Sequence, residues 1–433
     1  MHHHPGGYFA IDLGHLSRSW NFLQSPESSP ILFISLAFIA YLILIRHCRY
    51  SRSARHVRLF SESQVLDRQE MPLPVAQKIY DSLMHAEFPF WFWKGIELAL
   101  FRTYGIPTIS SQLAKTSRLV APDALPRRYV ETEVLFLEFA LRQWGTVPWL
   151  QAMARTRAIH AAYRKSGSVK EEDMLYTLAS LATQPVLLVE KLEWRSLNEV
   201  ELTAVGTLYR AIGDALSIDY TLHLQPFIKK EGTGQNGLDF YSALRDWQVS
   251  YETREMVYTP QNKLLCDAAV GLLLWGVPGK SLKRFITTAL TTIMDDLLRE
   301  AMGFPPTPYW IASITKCILA TRKMFLRHLC PPRPDLLKKK VRVHGPSVPN
   351  TIMRSYVAAP YFVEPTVWNR WFSLGTWWWW ALGLPIPGKD SAHQPEGYYI
   401  PALGPPLGRT VASQRREEKK VKAVGLSKGW QYL

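Results

Sequence analysis

Between about residue 70 and residue 330, apolar side chains recur with a period near 3.6 in one long segment after another. Period-2 runs bounded by turns are nearly absent. Short breakers punctuate the pattern: "GIPTIS", "APDALP", "KSGS", "KKEGTGQNG" and "GVPGK". Segments patterned in this way bury their apolar stripes only by packing helix on helix, so the expected fold class is all-α. Two helix starts are signed by S-x-x-E spacing, at Ser168 with Glu171 and at Ser196 with Glu199. No internal repeat and no second domain is evident. With 433 residues, including 16 Trp, 19 Tyr and 18 Phe, the chain has ample material for one large core.

Ahead of this region, "PILFISLAFIAYLILIRHCRYSRSARHVR" carries an apolar run from Ile31 to Ile45, broken only by Ser35. The run is shorter than the roughly 20 residues that cross a typical hydrocarbon core. Ser28, Ser29 and Pro30 can occupy its lumenal edge, and the endoplasmic-reticulum bilayer is thinner than average. A cleaved signal peptide fits poorly, because polar-to-mixed residues precede the run and no small-x-small site follows it. Arg46, Arg49, Arg52, Arg55 and Arg58 come directly after it, and the positive-inside rule then puts the bulk of the chain in the cytosol. No Asn is followed two places later by Ser or Thr, which is compatible with that orientation.

The expected organisation is therefore a lumenal N-terminus (1–29), a single transmembrane anchor (30–46) and a basic juxtamembrane linker (47–69). A helical domain (70–330) follows, then a Pro/Trp-rich extension (331–408) containing "TWWWWALGLPIPG", and a charged, solvated tail (409–433). Four consecutive tryptophans cannot all face one core; they read either as irregular packing or as an interfacial contact, since Trp prefers the headgroup level of a bilayer. The net charge of +15 is spread over separate segments, and no nucleic-acid-binding module is recognisable, so no nucleic-acid partner is expected. Four cysteines without a C-x-x-C pair do not make a disulfide scaffold.

Within the helical domain, Trp149, Met153, Thr156, His160 and Tyr163 recur at steps of four, three, four and three and share one helix face. His160 thus points inward from a regular helix, where a histidine is most often a core residue bonded to a carbonyl. On the preceding helix, Arg128, Thr132, Leu135 and Phe139 line one stripe and suggest the polar end of a greasy pocket. The bland alternative is an Arg bonded to a neighbouring loop and a Thr bonded back to its own helix. A thiolate-ligated haem needs a Cys in a Gly-flanked loop, which Cys266 and Cys317 lack. The Glu-x-x-His motif of di-iron bundles, the G-x-S-x-G elbow and the G-x-G-x-x-G loop are all absent. A site with a single protein imidazole remains, and haem is the cofactor that needs only one.

In order along the chain, "RTYGIPTISSQLAKTSRL", "RRYVETEVLFLEF", "RAIHAAYRKSG", "EEDMLYTLA" and "LEWRSLNEVE" resemble the family that joins fungal ER-bound oxygenases of mycophenolic acid biosynthesis to bacterial rubber oxygenase, the latex clearing protein. The resemblance spans roughly residues 70–330. It implies a globin-like helical core, dioxygen-dependent cleavage of isoprenoid double bonds, and haem b with a proximal histidine. By the family's spacing, His160 becomes the axial ligand of the haem iron, and Arg128 with Thr132 become distal-pocket catalytic residues. Rubber oxygenase has a lysine just before the Thr; this sequence has Glu131, so no lysine ligand carries over.

The function so implied is that of an ER-membrane oxygenase cleaving a double bond in the farnesyl side chain of a lipophilic, prenylated aromatic intermediate, a terpenoid-derived secondary metabolite. Two alternatives stay open. One is a membrane-tethered carrier of lipophilic metabolites in which His160 is structural; the other is a non-haem iron oxygenase.

Overall fold

A glycine and a proline set one of the tightest helix contacts in the core. In the computed structural model, which describes residues 28–64, 70–116, 119–228, 236–338, 342–344, 351–353, 356, 359–388, 390–406 and 410–430, α4 (Trp91–Thr103) lies along α8 (Glu171–Leu192). Gly95 sits against Pro185, and a Cβ added at Gly95 would fall 2.3 Å from the Pro185 Cα. Pro185 lies inside α8 and lacks the N–H that would bond one turn back.

Around this pair run α3 (Leu73–Ser82), continued by a π-turn at Leu83–Glu87, then α5 (Pro107–Thr116), α6 (Leu125–Leu141) and α7 (Val147–Lys165). After α8 come α9 (Glu199–Ala215), the short α10 (Thr221–Leu224) and α11 (Gly237–Glu255). Next are α12 (Pro260–Leu273), α13 (Lys280–Thr291), α14 (Asp296–Ala301) and α15 (Tyr309–His328). α9 meets α11 where a Cβ on Gly206 would lie 1.8 Å from the Gly237 carbonyl oxygen, so only glycine permits that approach. The chain is all-α apart from one antiparallel pair among the described residues, β1 (Arg342–His344) with β2 (Thr351–Met353).

Both capping boxes start later than the S-x-x-E spacing suggests. Asn198, not Ser196, caps α9: its Oδ1 accepts from Glu201 N at 2.9 Å, and Glu201 accepts from Asn198 N at 3.0 Å. At α8 the Asp173 carboxylate accepts from Lys170 N, while Ser168 sits in the turn, its hydroxyl paired with that of Ser166.

α1 (Ser28–Arg49) is long and apolar enough to cross a membrane, and most of its side chains face outward. Residues 1–27, which hold most of the expected lumenal segment, lie outside the described residues. The expected basic linker is corrected over its described part: it is a second helix, α2 (Ser51–Gln64), packed on the domain. Arg52 pairs with Glu87 at 2.7 Å, and His56 contacts Glu201 at 2.8 Å and Ser82 at 2.8 Å. Arg195 bridges both carboxylates, at 2.9 Å to Glu87 and 2.7 Å to Glu201. Arg49 lies 4.3 Å over the Trp194 ring and donates to the Cys330 carbonyl. Two of the five arginines after the apolar run therefore face protein, and Arg46, Arg55 and Arg58 face outward.

The extension holds the short helices α16 (Val367–Trp371) and α17 (Leu374–Ala381), and shares the main core through Phe362, Tyr398, Ile400 and Leu403. The solvated tail is likewise corrected. Residues 411–427 form α18 (Val411–Ser427), docked on α7, with Gln414, Glu417, Val421 and Gly425 buried. Glu417 pairs with Arg157 at 3.1 Å, and Trp430 packs edge-on against Trp144. The buried stripe of α18 contains only one strong hydrophobe, so composition alone does not reveal it.

Candidate functional site

α7 starts just after Gly145, with Pro148 in its first turn, where a missing N–H costs nothing. It buries Trp149 and Met153 completely, and this anchoring face carries Thr156 and His160 toward the interior. His160 Nδ1 lies 2.8 Å from the Thr156 carbonyl oxygen. A carbonyl can only accept, so Nδ1 carries the proton and Nε2 of the neutral ring holds a lone pair. Nε2 makes no hydrogen bond among the described residues. Burial lowers the pKa of His160, helped by the Arg164 charge, and the neutral ring is favoured.

His160 lies on the wall of a cavity of about 520 Å³, within the size range of small-molecule sites. The cavity follows α8 from Asp173 to Leu188, about 22 Å at the α-helical rise. Most of its wall is aliphatic or aromatic, including Trp91, Phe101, Phe136, Phe139, Leu181 and Met294. The Arg128, Thr132, Leu135 and Phe139 stripe of α6 lines the same cavity, so the structure brings Arg128, Thr132 and His160 to one space.

Their bonding is specific. Glu131, buried in α6, accepts from Arg127 at 3.2 Å and from Arg128 at 3.0 Å. Thr132 is exposed and donates its hydroxyl proton back to the Arg128 carbonyl at 2.9 Å, as the bland alternative describes. Further along the wall, burial together with the Glu97 and Glu133 carboxylates pushes the Tyr129 hydroxyl well above its ordinary pKa, so it stays protonated. Asp173 accepts from Thr108 at 2.7 Å and from Tyr251 at 2.9 Å.

Tyr129 and Asp173 were not singled out from the sequence. Asp173 opens α8 in an acidic run that reads as ordinary first-turn chemistry. The pairing of Glu131 with two arginines was legible, because i+3 and i+4 neighbours meet on a helix.

No group of three or more His, Cys, Asp or Glu side chains stands together in a way that could hold a metal ion among the described residues. Burial pushes the Cys266 thiol up to about 12, the opposite of what a thiolate ligand requires. One neutral imidazole with a free lone pair, on the wall of a large apolar cavity, fits a planar macrocycle that brings its own four donors.

No family model matches the chain. Among curated proteins, it is 35% identical over 395 residues to the ER-bound oxygenase mpaB′ of Penicillium brevicompactum, covering 89% of this chain and 92% of that protein. It is also 35% identical over 352 residues to the ER-bound oxygenase mpaB of the same species, covering 81% of this chain and 82% of the relative. The mpaB of Penicillium roqueforti is 35% identical over 268 residues, covering 61% of this chain and 87% of that protein. With that identity sustained across both nearly whole chains, the protein belongs to the family of the ER-bound oxygenases mpaB and mpaB′.

Proposed function

We propose that this protein is a membrane-anchored, haem-dependent oxygenase that cleaves a carbon–carbon double bond in the prenyl side chain of a lipophilic aromatic metabolite, as in mycophenolic acid biosynthesis. The observation that carries the reading is the state of His160: neutral, its Nδ1–H held by Thr156, its Nε2 unpartnered, on the wall of an elongated apolar cavity. Its residue pattern suits haem b, with His160 as the protein ligand. When bound, such a group supplies the binding and activation of dioxygen.

The chain's own residues supply the rest. The Thr156 carbonyl fixes the tautomer and ring orientation of His160 and raises the basicity of Nε2. The apolar wall along α8 holds a prenyl chain extended and excludes water. Glu131 restrains the Arg128 guanidinium at the cavity wall, a fixed positive charge for negative charge that develops on oxygen. The Thr132 hydroxyl is committed to the Arg128 carbonyl, so its part is to hold the helix and shape the wall. Across one trisubstituted double bond, dioxygen adds one oxygen atom to each carbon, giving an aldehyde and a ketone.

The ER anchor and a cytosolic domain complete the reading. Arg46, Arg55 and Arg58 remain exposed beside the apolar run and support that orientation. A pyridine haemochrome assay on purified protein tests the cofactor. Haem near one equivalent in wild type and its loss in His160→Ala is the expected result; colourless, metal-free protein from haem-replete cells returns the chain to the carrier reading.

A further inference from the structure

The anchor does not leave the domain at its apolar boundary. Tyr41, which lies within the apolar run, donates its hydroxyl to the Leu329 carbonyl at 2.9 Å. Tyr41 is about 6 Å of helix inside Ile45. A bilayer that covers the run therefore reaches the C-terminal end of α15. From that end, α15 exposes an apolar stripe, with Phe325, Ile318, Ile314 and Trp310 all turned outward along the helix.

The stripe continues onto two neighbours. Phe285 of α13 stacks on Trp310 with ring centroids 6.2 Å apart, and α13 exposes Leu282 beside Lys280 and Arg284. At the α12–α13 turn, Trp378 of α17 donates to the Gly276 carbonyl at 3.0 Å, and Trp377 and Trp380 stand exposed. Soluble surfaces rarely carry so much contiguous aromatic and aliphatic area. Apolar side chains, interfacial tryptophans and flanking cations together match the chemistry of a headgroup layer.

We propose that the exposed face of α13, α15 and α17 is a second bilayer-contact surface, continuous with the anchor, and that the cavity opens toward the leaflet beside it. Leu273 of α12 both lines the cavity and is exposed, and Leu290 of α13 also lines the cavity. Leu319 of α15 packs onto the cluster of Trp91, Leu188 and Leu192 that borders this end. A lipophilic molecule then enters from the leaflet between α12 and α13 without crossing bulk water. The seating on the membrane rests on the anchor alone; only the passage of substrate rests on the oxygenase reading.

Native Cys317 is exposed on α15 beside Ile318 and provides the probe. Full-length protein with Cys48→Ser and Cys330→Ser is reconstituted in vesicles of phosphatidylcholine with a fraction of phosphatidylserine, and a nitroxide is attached at Cys317. A reference protein carries Cys317→Ser and the label at Val249→Cys, an exposed position on α11. The Cys317 label should collide with dissolved oxygen several-fold more than the reference label, and with a water-soluble nickel chelate several-fold less. Equal nickel accessibility at the two positions overturns the proposal. Shielding in native microsomes but not in the lipid vesicles would identify a protein partner and overturns it equally. In a second arm, Phe285→Asp with Ile318→Asp should lower turnover of vesicle-borne prenylated substrate at least fivefold, and leave turnover of detergent-dispersed substrate unchanged. A wild type without cleavage activity refutes the oxygenase reading and leaves the accessibility result standing.

Discussion

Gly95 of α4 and Pro185 of α8 meet at a separation no side chain can enter: a Cβ on Gly95 would lie 2.3 Å from the Pro185 Cα and 2.8 Å from its nitrogen. Both neighbouring atoms are backbone, so relief requires a helix to move. Gly95→Ala should destabilise the fold by about 1–3 kcal/mol or more. Gly271→Ala, on an exposed stretch of α12 with nothing within 4 Å, should be neutral or stabilising by up to about 1 kcal/mol. Urea midpoints of the two variants check this, and a Gly95→Ala midpoint equal to wild type would show that the helices are not so tightly seated.

His160 gives a pH prediction. Its folded pKa is lowered from the ordinary 6.5, so protons bind preferentially to the unfolded chain. The contribution is complete above about 6.5 and is lost as the pH falls through the lower, folded value. Denaturation of cofactor-free protein from pH 7.5 to 5 should show stability falling toward acid, and His160→Asn should flatten that slope. Parallel slopes would place the ring in contact with water.

The cavity residues separate by their bonding. Arg128→Ala should keep the cofactor and lower turnover by about ten- to a thousandfold, the range for removing a preorganised charge. Thr132→Ala should cost much less, because its proton is spent on the Arg128 carbonyl. Equal losses, measured as kcat at saturating dioxygen, would mean that the Thr132 hydroxyl turns toward substrate during the reaction.

Deletion end points should matter sharply. Removing residues 1–46 leaves Arg49, Arg52 and His56 in place, and a folded domain is expected. Removing residues 1–64 strips Arg52 and His56 from buried Glu87 and Glu201; Arg195 still pairs with both carboxylates, so each lost charged hydrogen bond should cost about 1.5–3 kcal/mol. Burial opposes charge on Glu201, but hydrogen bonds from His56 and Arg195 prevail and hold its carboxyl at about 2. This stabilisation is therefore present above about 4.5 and is lost as the pH falls through about 2. Near-UV circular dichroism distinguishes the two truncations.

The exposed arginines give the proposed cytosolic orientation a direct test. In sealed microsomes, added protease should digest the domain; full protection would place it in the lumen.

The 3.6-residue period carried much of the site. It put Trp149, Met153, Thr156, His160 and Tyr163 on one face and Arg128, Thr132, Leu135 and Phe139 on another; all but Trp149 and Met153, which are buried in the core, line the cavity. Local pattern could not reveal what those faces meet. Asn198 displaced Ser196 as a cap because its partner Glu201 is also needed by His56 and Arg195, a choice made by residues far away in the chain. The arginines after the apolar run read as one cationic cluster, yet Arg49 and Arg52 turn inward because Trp194 and Glu87 offer an aromatic face and a carboxylate. α18 escaped notice because a Gln, a Glu and a Gly do most of its packing.

The welding of α1 and α2 to the domain has a mechanical consequence. A catalytic unit on a flexible linker samples a hemisphere of positions and orientations, and its effective concentration at the surface falls as the linker lengthens. Here Tyr41, Arg49, Arg52 and His56 are each bonded to the body they carry. The orientation of the body relative to α1 is thereby set, so on a bilayer spanned by α1 its search would be reduced to motion of one rigid unit in a plane.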